Sequence, residues 1–220
     1  MMLQTEDKYY KRDFWGQENL KYAKVHFRLE KVARIINRLS VGRDVDLLDV
    51  GCGPALLMHF LHENVHYHGI DMAIHNPAPY LLESDFLETP INFHDRRFDI
   101  VLAQGVFEYI GAYQGQKFSE IAKLLKEDGT FIASYVNFDH RSRVIYAPYN
   151  NVQSFEEFRR NLGQFFRIDR VIPTSHRWHH QEPTRFWMKA VNMYVNVKIP
   201  FVSSRFAVQY LFVCSPRTPK

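Results

Sequence analysis

The feature that most constrains this chain is a glycine turn, Asp49-Val50-Gly51-Cys52-Gly53-Pro54, set directly behind the short apolar run Val45-Asp46-Leu47-Leu48. An apolar run of that length ending in two closely spaced glycines is a strand that feeds a tight turn, because glycine enters left-handed backbone without steric cost. The stretch Ala55 to His62 then has helical spacing, and Pro54 suits a first helical turn. Strand, glycine turn and helix open an α/β sheet of the kind that binds its ligand at the carboxyl ends of the strands.

The flanking segments fit such a sheet. From Gln17 to Leu39, apolar residues recur at Tyr22, Val25, Leu29, Val32, Ile36 and Leu39, which predicts one amphipathic helix. Strands are expected at Val65 to Asp71, Tyr80 to Ser84, Phe98 to Ala103 and Gly129 to Val136, with a helix from Gln116 to Lys126 stopped by Asp128-Gly129. Alternating strands and helices point to a parallel sheet with helices on both faces. Farther on, Ser154 with Glu157 makes a capping box for a helix through Leu162, and Phe165 to Ile172 and Phe206 to Cys214 look like two last strands. The long connections, Asn137 to Gln153 and Pro173 to Arg205, have the character of lids or binding loops.

A dinucleotide-binding turn reads G-x-G-x-x-G, and from Gly51 its third glycine would fall at Leu56. With an acidic residue ahead of the first glycine, the turn instead resembles motif I of the class I S-adenosylmethionine-dependent methyltransferases, D-x-G-x-G-x-G, with Ala55 replacing the last glycine. An alanine methyl is compatible with a helical turn there. Further positions share the resemblance: Asp71, 22 residues after Asp49, closes the second strand; Ser84-Asp85-Phe86 follows the third; Phe98 to Gln104 forms the fourth and its exit; Leu124 to Thr130 forms the turn into the fifth. The resemblance implies a Rossmann-like fold: a mostly parallel seven-stranded sheet, helices on both faces and an antiparallel strand near the C-terminus. It also implies S-adenosyl-L-methionine as cofactor, held by Asp49, Gly51, Cys52, Gly53, Asp71, Met72, Asp85, Phe86 and Gln104. Asp71 is expected on the ribose hydroxyls, Asp85 near the adenine amino group and Phe86 against the ring. Cys52 reads as a small packed residue, not a nucleophile.

The segment Asn76-Pro77-Ala78-Pro79-Tyr80 is similar to the Asn-Pro-Pro-aromatic motif of amino-directed nucleic-acid methyltransferases, but it lies between strands two and three, whereas that motif follows strand four. Methyl transfer from a sulfonium is an in-line displacement, so the protein mainly aligns donor and acceptor and excludes water. A hydroxyl acceptor also needs a general base, for which His140, His176 and His180 are the candidates. Beside them stand Arg141, Arg143, Tyr146, Tyr149, Arg177 and Trp178, rings and cations that suit a polar small molecule such as a sugar. Glu108-Tyr109 occupies the stretch where many small-molecule members have an acid and a histidine, and Tyr9, Tyr10 and Trp15 stand where relatives fold an aromatic over the cofactor. A lipid or aromatic acceptor is the second choice. A non-catalytic partner that keeps the cofactor pocket is the rival from another class, and an NAD(P) oxidoreductase is disfavoured by the turn.

Charge divides by position: residues 1–140 carry 15 Lys or Arg against 20 Asp or Glu, and residues 141–220 carry 13 against 4. The expected division is an N-terminal helical cap (1–44), a cofactor-binding core (45–136) and acceptor-site loops with the last strands (137–220) of one domain. The aromatic content of 15% is assigned to a lid in this basic part, around Tyr135 to Phe166 and near Trp178 and Trp187. With no apolar span and only Cys52 and Cys214, the expectation is a cytoplasmic protein with a small-molecule acceptor, no nucleic acid, no membrane span and no metal. The sequence leaves oligomeric state open.

Overall fold

A computed structural model describes residues 27–136, 153–176 and 207–217. Seven strands form one sheet: β1 (Val45–Val50), β2 (Val65–Asp71), β3 (Leu81–Glu83), β4 (Phe98–Ala103), β5 (Leu125–Val136), β6 (Phe166–His176) and β7 (Ala207–Pro216). Their order is β3-β2-β1-β4-β5-β7-β6. The first five pair in parallel, and β7 runs antiparallel to both β5 and β6. The chain winds outward in opposite directions from β1 and β4, so the crevice at their carboxyl ends is the switch point of the fold.

Strand alternation sorts the interior into two layers. Val45 and Leu47 of β1, Ile100 and Leu102 of β4, Ile132 of β5 and Leu211 of β7 lie on one face, covered by Val32, Ala33 and Ile36 of α1 (Phe27–Leu39). Leu48, Val50, Val101, Ala103, Phe131, Ala133, Tyr135 and Phe212 lie on the other, under α2 (Gln114–Leu124) and α3 (Phe155–Phe165). The α3 capping box forms as its sequence predicts: the Glu157 N–H donates to Ser154 Oγ at 3.2 Å, and the Ser154 N–H donates to Glu157 Oε2 at 2.7 Å. Of the predicted first helix, residues 17–26 lie outside the described part.

Two expectations about the segment after the glycine turn and one about the aromatic residues need correction. The helix after the glycine turn is one 3-10 turn, Leu56–Phe60, and Ala55 sits in left-handed backbone (φ 54, ψ 28) instead of a helical turn. Ala55 therefore adopts the conformation that a glycine would take freely, at a cost of about 1 kcal/mol. The connections from β2 to β3 and from β3 to β4 contain no helix. The second of these is pinned from α2, where the fully buried Lys117 donates to Thr89 O at 3.0 Å and to Glu120 Oε2 at 2.9 Å, while Glu120 Oε2 accepts the Ile91 N–H at 2.9 Å.

The third correction concerns the aromatic surplus. Tyr135, Phe158 and Phe166 are core residues, and Phe155 and Phe165 pack against that core. Tyr135 stacks on Phe158 with centroids 3.8 Å apart, and Phe107 stacks on Phe118 at 4.5 Å. Helical spacing in α3 and period-2 spacing in β5 and β7 aim these rings into one layer. Tyr135, Phe155, Phe158, Phe165 and Phe166 belong to that layer and not to a lid; Phe138, Tyr146, Tyr149, Trp178 and Trp187 lie outside the described residues.

Candidate functional site

At the carboxyl edge of the parallel strands, the face covered by α1 changes character. The apolar rows Val45-Leu47, Ile100-Leu102 and Ile132 are succeeded two residues on by Asp49, Gln104 and Ser134, and on β7 Gln209 stands two residues before Leu211. Period-2 alternation keeps each polar residue on the face of the apolar residues before it. Asp49, Ser134 and Gln209 are buried, and Gln104 is half-buried.

The glycine turn folds back onto the end of β2. The N–H groups of Gly51 and Cys52 both donate to Ile70 O, at 2.8 and 3.3 Å. The Gly53 N–H donates to Asp71 Oδ2 at 2.7 Å, and the Ala73 N–H donates to Asp71 Oδ1 at 3.1 Å. A carboxylate has about four acceptor positions, so Asp71 both ties the turn to its strand and has the chemistry to take a pair of vicinal hydroxyls. Gly51 has φ 72, and a Cβ there would stand 2.5 Å from Val106 Cγ2 in the loop after β4. The glycine thus permits both the turn and close contact between the two loops that flank the switch point.

Asp49 lies in β1, two residues before Gly51, and its Oδ2 accepts the Tyr67 hydroxyl at 2.9 Å. Burial raises its carboxyl to about 7, with the nearby Asp71 adding to the rise and the Tyr67 hydrogen bond opposing it. Tyr67 is itself raised well above its usual value, chiefly by burial and then by Asp49. Burial, with Asp49 and Asp71 close by, also pushes the Cys52 thiol far up, so it stays protonated and unreactive in the turn.

The remaining sequence-derived residues divide. Met72 and Phe86 are buried in the apolar layer under α2 and α3. Asp85 follows Ser84, whose N–H donates to Asp71 O at 2.9 Å. Asp85 Oδ1 accepts the Leu87 N–H at 3.1 Å, which closes a local turn. His176 is the last residue of β6, on the same edge but on the outermost strand, four strand spacings from β1 or about 19 Å. His140 and His180 lie outside the described residues, as do Tyr9, Tyr10, Trp15, Arg141, Arg143, Tyr146, Tyr149, Arg177 and Trp178. Sequence reasoning missed Tyr67, Ser134 and Gln209. The signal for Ser134 was present in the strand pattern, an apolar row turning polar at its last inward position.

Among the described residues no group of His, Cys, Asp or Glu is arranged to hold a metal ion, and no helix is long and apolar enough to cross a membrane. The edge offers hydrogen-bond acceptors for hydroxyls, two adjacent carboxylates whose potential favours a cation, and a backbone turn open to close approach. Gly105, with φ 74 directly after Gln104, has open space where a Cβ would project. This donor and acceptor set fits a nucleoside carrying a positively charged sulfonium.

Comparison with known proteins points to one chemistry. A family model described as a methyltransferase domain matches residues 25–184. A TehB-like SAM-dependent methyltransferase from Corynebacterium glutamicum superposes with a TM-score of 0.58 at 14% identity, over 94% of this chain and 98% of that one. A putative methyltransferase from Haloferax volcanii, solved in complex with the Trm112 methyltransferase activator, superposes with a TM-score of 0.62 at 18% identity, over 94% of this chain and 98% of that one. The plantazolicin methyltransferase BpumL, in complex with SAH and a pentazolic desmethylPZN analog, gives a TM-score of 0.61 at 12% identity, over 97% and 95%. No curated protein sequence matches this one.

Proposed function

Since this chain belongs to the class I S-adenosylmethionine-dependent methyltransferases, we propose that it methylates a small polar metabolite, with a hydroxyl as the accepting group. The observation that supports the cofactor site is Asp71, fixed by the Gly53 and Ala73 N–H groups at the mouth of the glycine turn. S-adenosylmethionine, when bound, supplies an electrophilic methyl group on a sulfonium whose positive charge disappears as the methyl leaves.

The chain's own residues would then act as follows. Asp71 accepts the ribose hydroxyls. Gly51, Gly53 and the half-buried Cys52 let the backbone approach the ligand, with Gln104 facing them from the end of β4. Asp85 and Phe86 border the base, and Met72 backs it. Asp49, in the fraction that is ionised, adds negative potential to the pocket, which favours a cation over the neutral product that follows it. Catalysis is chiefly alignment and exclusion of water. A hydroxyl acceptor must also lose a proton, and of the three histidines His140 is the first choice. It follows the end of β5, the strand beside β4, by four residues, whereas His176 stands on the far edge strand. The basic and aromatic residues after Val136 support a polar acceptor over a lipid.

The test is transfer of label from methyl-tritiated S-adenosylmethionine into fractionated cell extract. The reading expects label in the polar small-molecule fraction, reduced at least about 100-fold in His140→Ala with cofactor affinity retained. Label confined to the lipid fraction would overturn the acceptor class. Cofactor binding without transfer to any fraction would identify a non-catalytic partner.

A further inference from the structure

Behind the loop that follows β4 lies a chain of buried polar side chains. The Gly105 N–H donates to Ser134 Oγ at 2.8 Å, and the Ser134 hydroxyl donates onward to Glu108 Oε1 at 3.4 Å. Gln209 Nε2 lies 3.4 Å from both Glu108 Oε1 and Ser134 Oγ. One step along, Gln114 Nε2 donates to Phe107 O at 2.9 Å. Glu108, Ser134, Gln209 and Gln114 are all at most 4% exposed. Burying so many polar groups is costly unless they are joined, and when joined they hold one conformation strictly. The direction of the chain is set by chemistry. Ser134 Oγ accepts the Gly105 N–H, so its own O–H is turned to Glu108, whose carboxylate oxygen accepts it.

What this chain holds is the turn that meets the cofactor loop. Gly105 is left-handed and adjoins Gln104, and the side chain of Val106, the next residue, fills the space that a Cβ on Gly51 would need. We infer that Glu108 is a positioning residue: through Ser134 it sets the Gln104-Gly105-Val106 turn, and through Val106 it sets the glycine turn that receives the cofactor. The inference rests on the proposed cofactor site, but the hydrogen-bond chain makes its own prediction. The essential property of Glu108 is an acceptor oxygen, not a negative charge, so Glu108→Gln preserves the function and Glu108→Leu does not.

The experiment uses the full chain and S-adenosylhomocysteine as the calorimetric probe, with Glu108→Gln, Glu108→Leu and Ser134→Ala compared at a temperature where circular dichroism shows each folded. The expected result is a loss of affinity of about tenfold or more in Ser134→Ala and Glu108→Leu, with Glu108→Gln within about threefold of the parent. Hydrogen exchange over residues 104–108 should accelerate about tenfold in Ser134→Ala, with the exchange of β1 unchanged. Should Glu108→Leu fail to fold, Ser134→Ala and Glu108→Gln carry the test alone. Parent-like affinity in Ser134→Ala, or Glu108→Gln as weak as Ser134→Ala, overturns the inference. If the parent binds no S-adenosylhomocysteine, the cofactor site is wrong. The exchange result then decides the positioning role, upheld by acceleration in residues 104–108 and overturned by its absence.

Discussion

The two edges of this sheet treat their carboxylates in opposite ways. At the amino edge, Asp99 and Asp46 share Lys126 at 2.7 and 3.3 Å, Arg43 approaches Asp99 at 3.8 Å, and Arg96 meets Asp46 at 3.2 Å. Burial alone would raise the Asp99 carboxyl, but the Lys126 ammonium and the Asp46 N–H outweigh it and hold the group below its usual range. At the carboxyl edge, Asp49 meets a tyrosine hydroxyl and Asp71 meets two backbone N–H groups. The amino edge neutralises its acids with cations at the surface. Among the described residues, the carboxyl edge sets its buried acids on neutral donors, an arrangement whose acceptor oxygens and potential a ligand can use.

Asp49 provides the largest expected contrast. Its folded value near 7 lies above the ordinary 3.8, so the folded protein holds this proton more tightly than the unfolded chain. Its contribution is complete below about pH 4, declines as pH rises and is gone above pH 7, a change of up to roughly 4 kcal/mol. Thermal melts of the ligand-free protein should therefore show stability falling from pH 5 to pH 8. Asp49→Asn should flatten that slope, because an amide oxygen still accepts the Tyr67 hydroxyl and carries no charge.

At the amino edge, Lys126→Met should cost no more than about 1 kcal/mol in denaturant titration, an effect that shrinks in high salt, because the ammonium is well exposed. A larger, salt-independent loss would mean that this edge resembles the other. The smallest effect is expected at Ala55→Gly. Relief of the left-handed backbone, worth about 1 kcal/mol, is offset by loss of a buried methyl worth about 0.8 kcal/mol, so the midpoint should barely move. A loss beyond about 2 kcal/mol would show that the methyl does more than fill space.

Much of this architecture was legible in the residues. Val65–Asp71 and Phe98–Ala103 coincide with their predicted strands because apolar runs bounded by turn residues leave little choice. The turn at Gly51 and Gly53 was legible from local backbone geometry, whereas Asp49 and Asp71 were expected on the resemblance to motif I, and the structure ties Asp71 to that turn through the Gly53 N–H. Ala55 was misread because its left-handed conformation comes from the turn before it, not from its own propensity. The aromatic residues were misread because their destination depends on which face of a helix or strand they occupy, a property invisible to a count along the chain. Tyr67 as the partner of Asp49, and Glu108 with Ser134 and Gln209, were out of reach because these contacts join residues 18 to 101 positions apart, and the register of β5 and β7 brings the last three together.

In the proposed site, the carboxyl edge around Asp71 binds the methyl donor. Titration calorimetry of the purified protein with S-adenosylhomocysteine, beside Asp71→Ala, tests it most directly. The account predicts a single saturable binding heat for the parent and an affinity lower by about 100-fold or more in the variant, which loses both the ribose acceptor and the Gly53 tether. Equal affinities for the two proteins, or no heat with either, would contradict it.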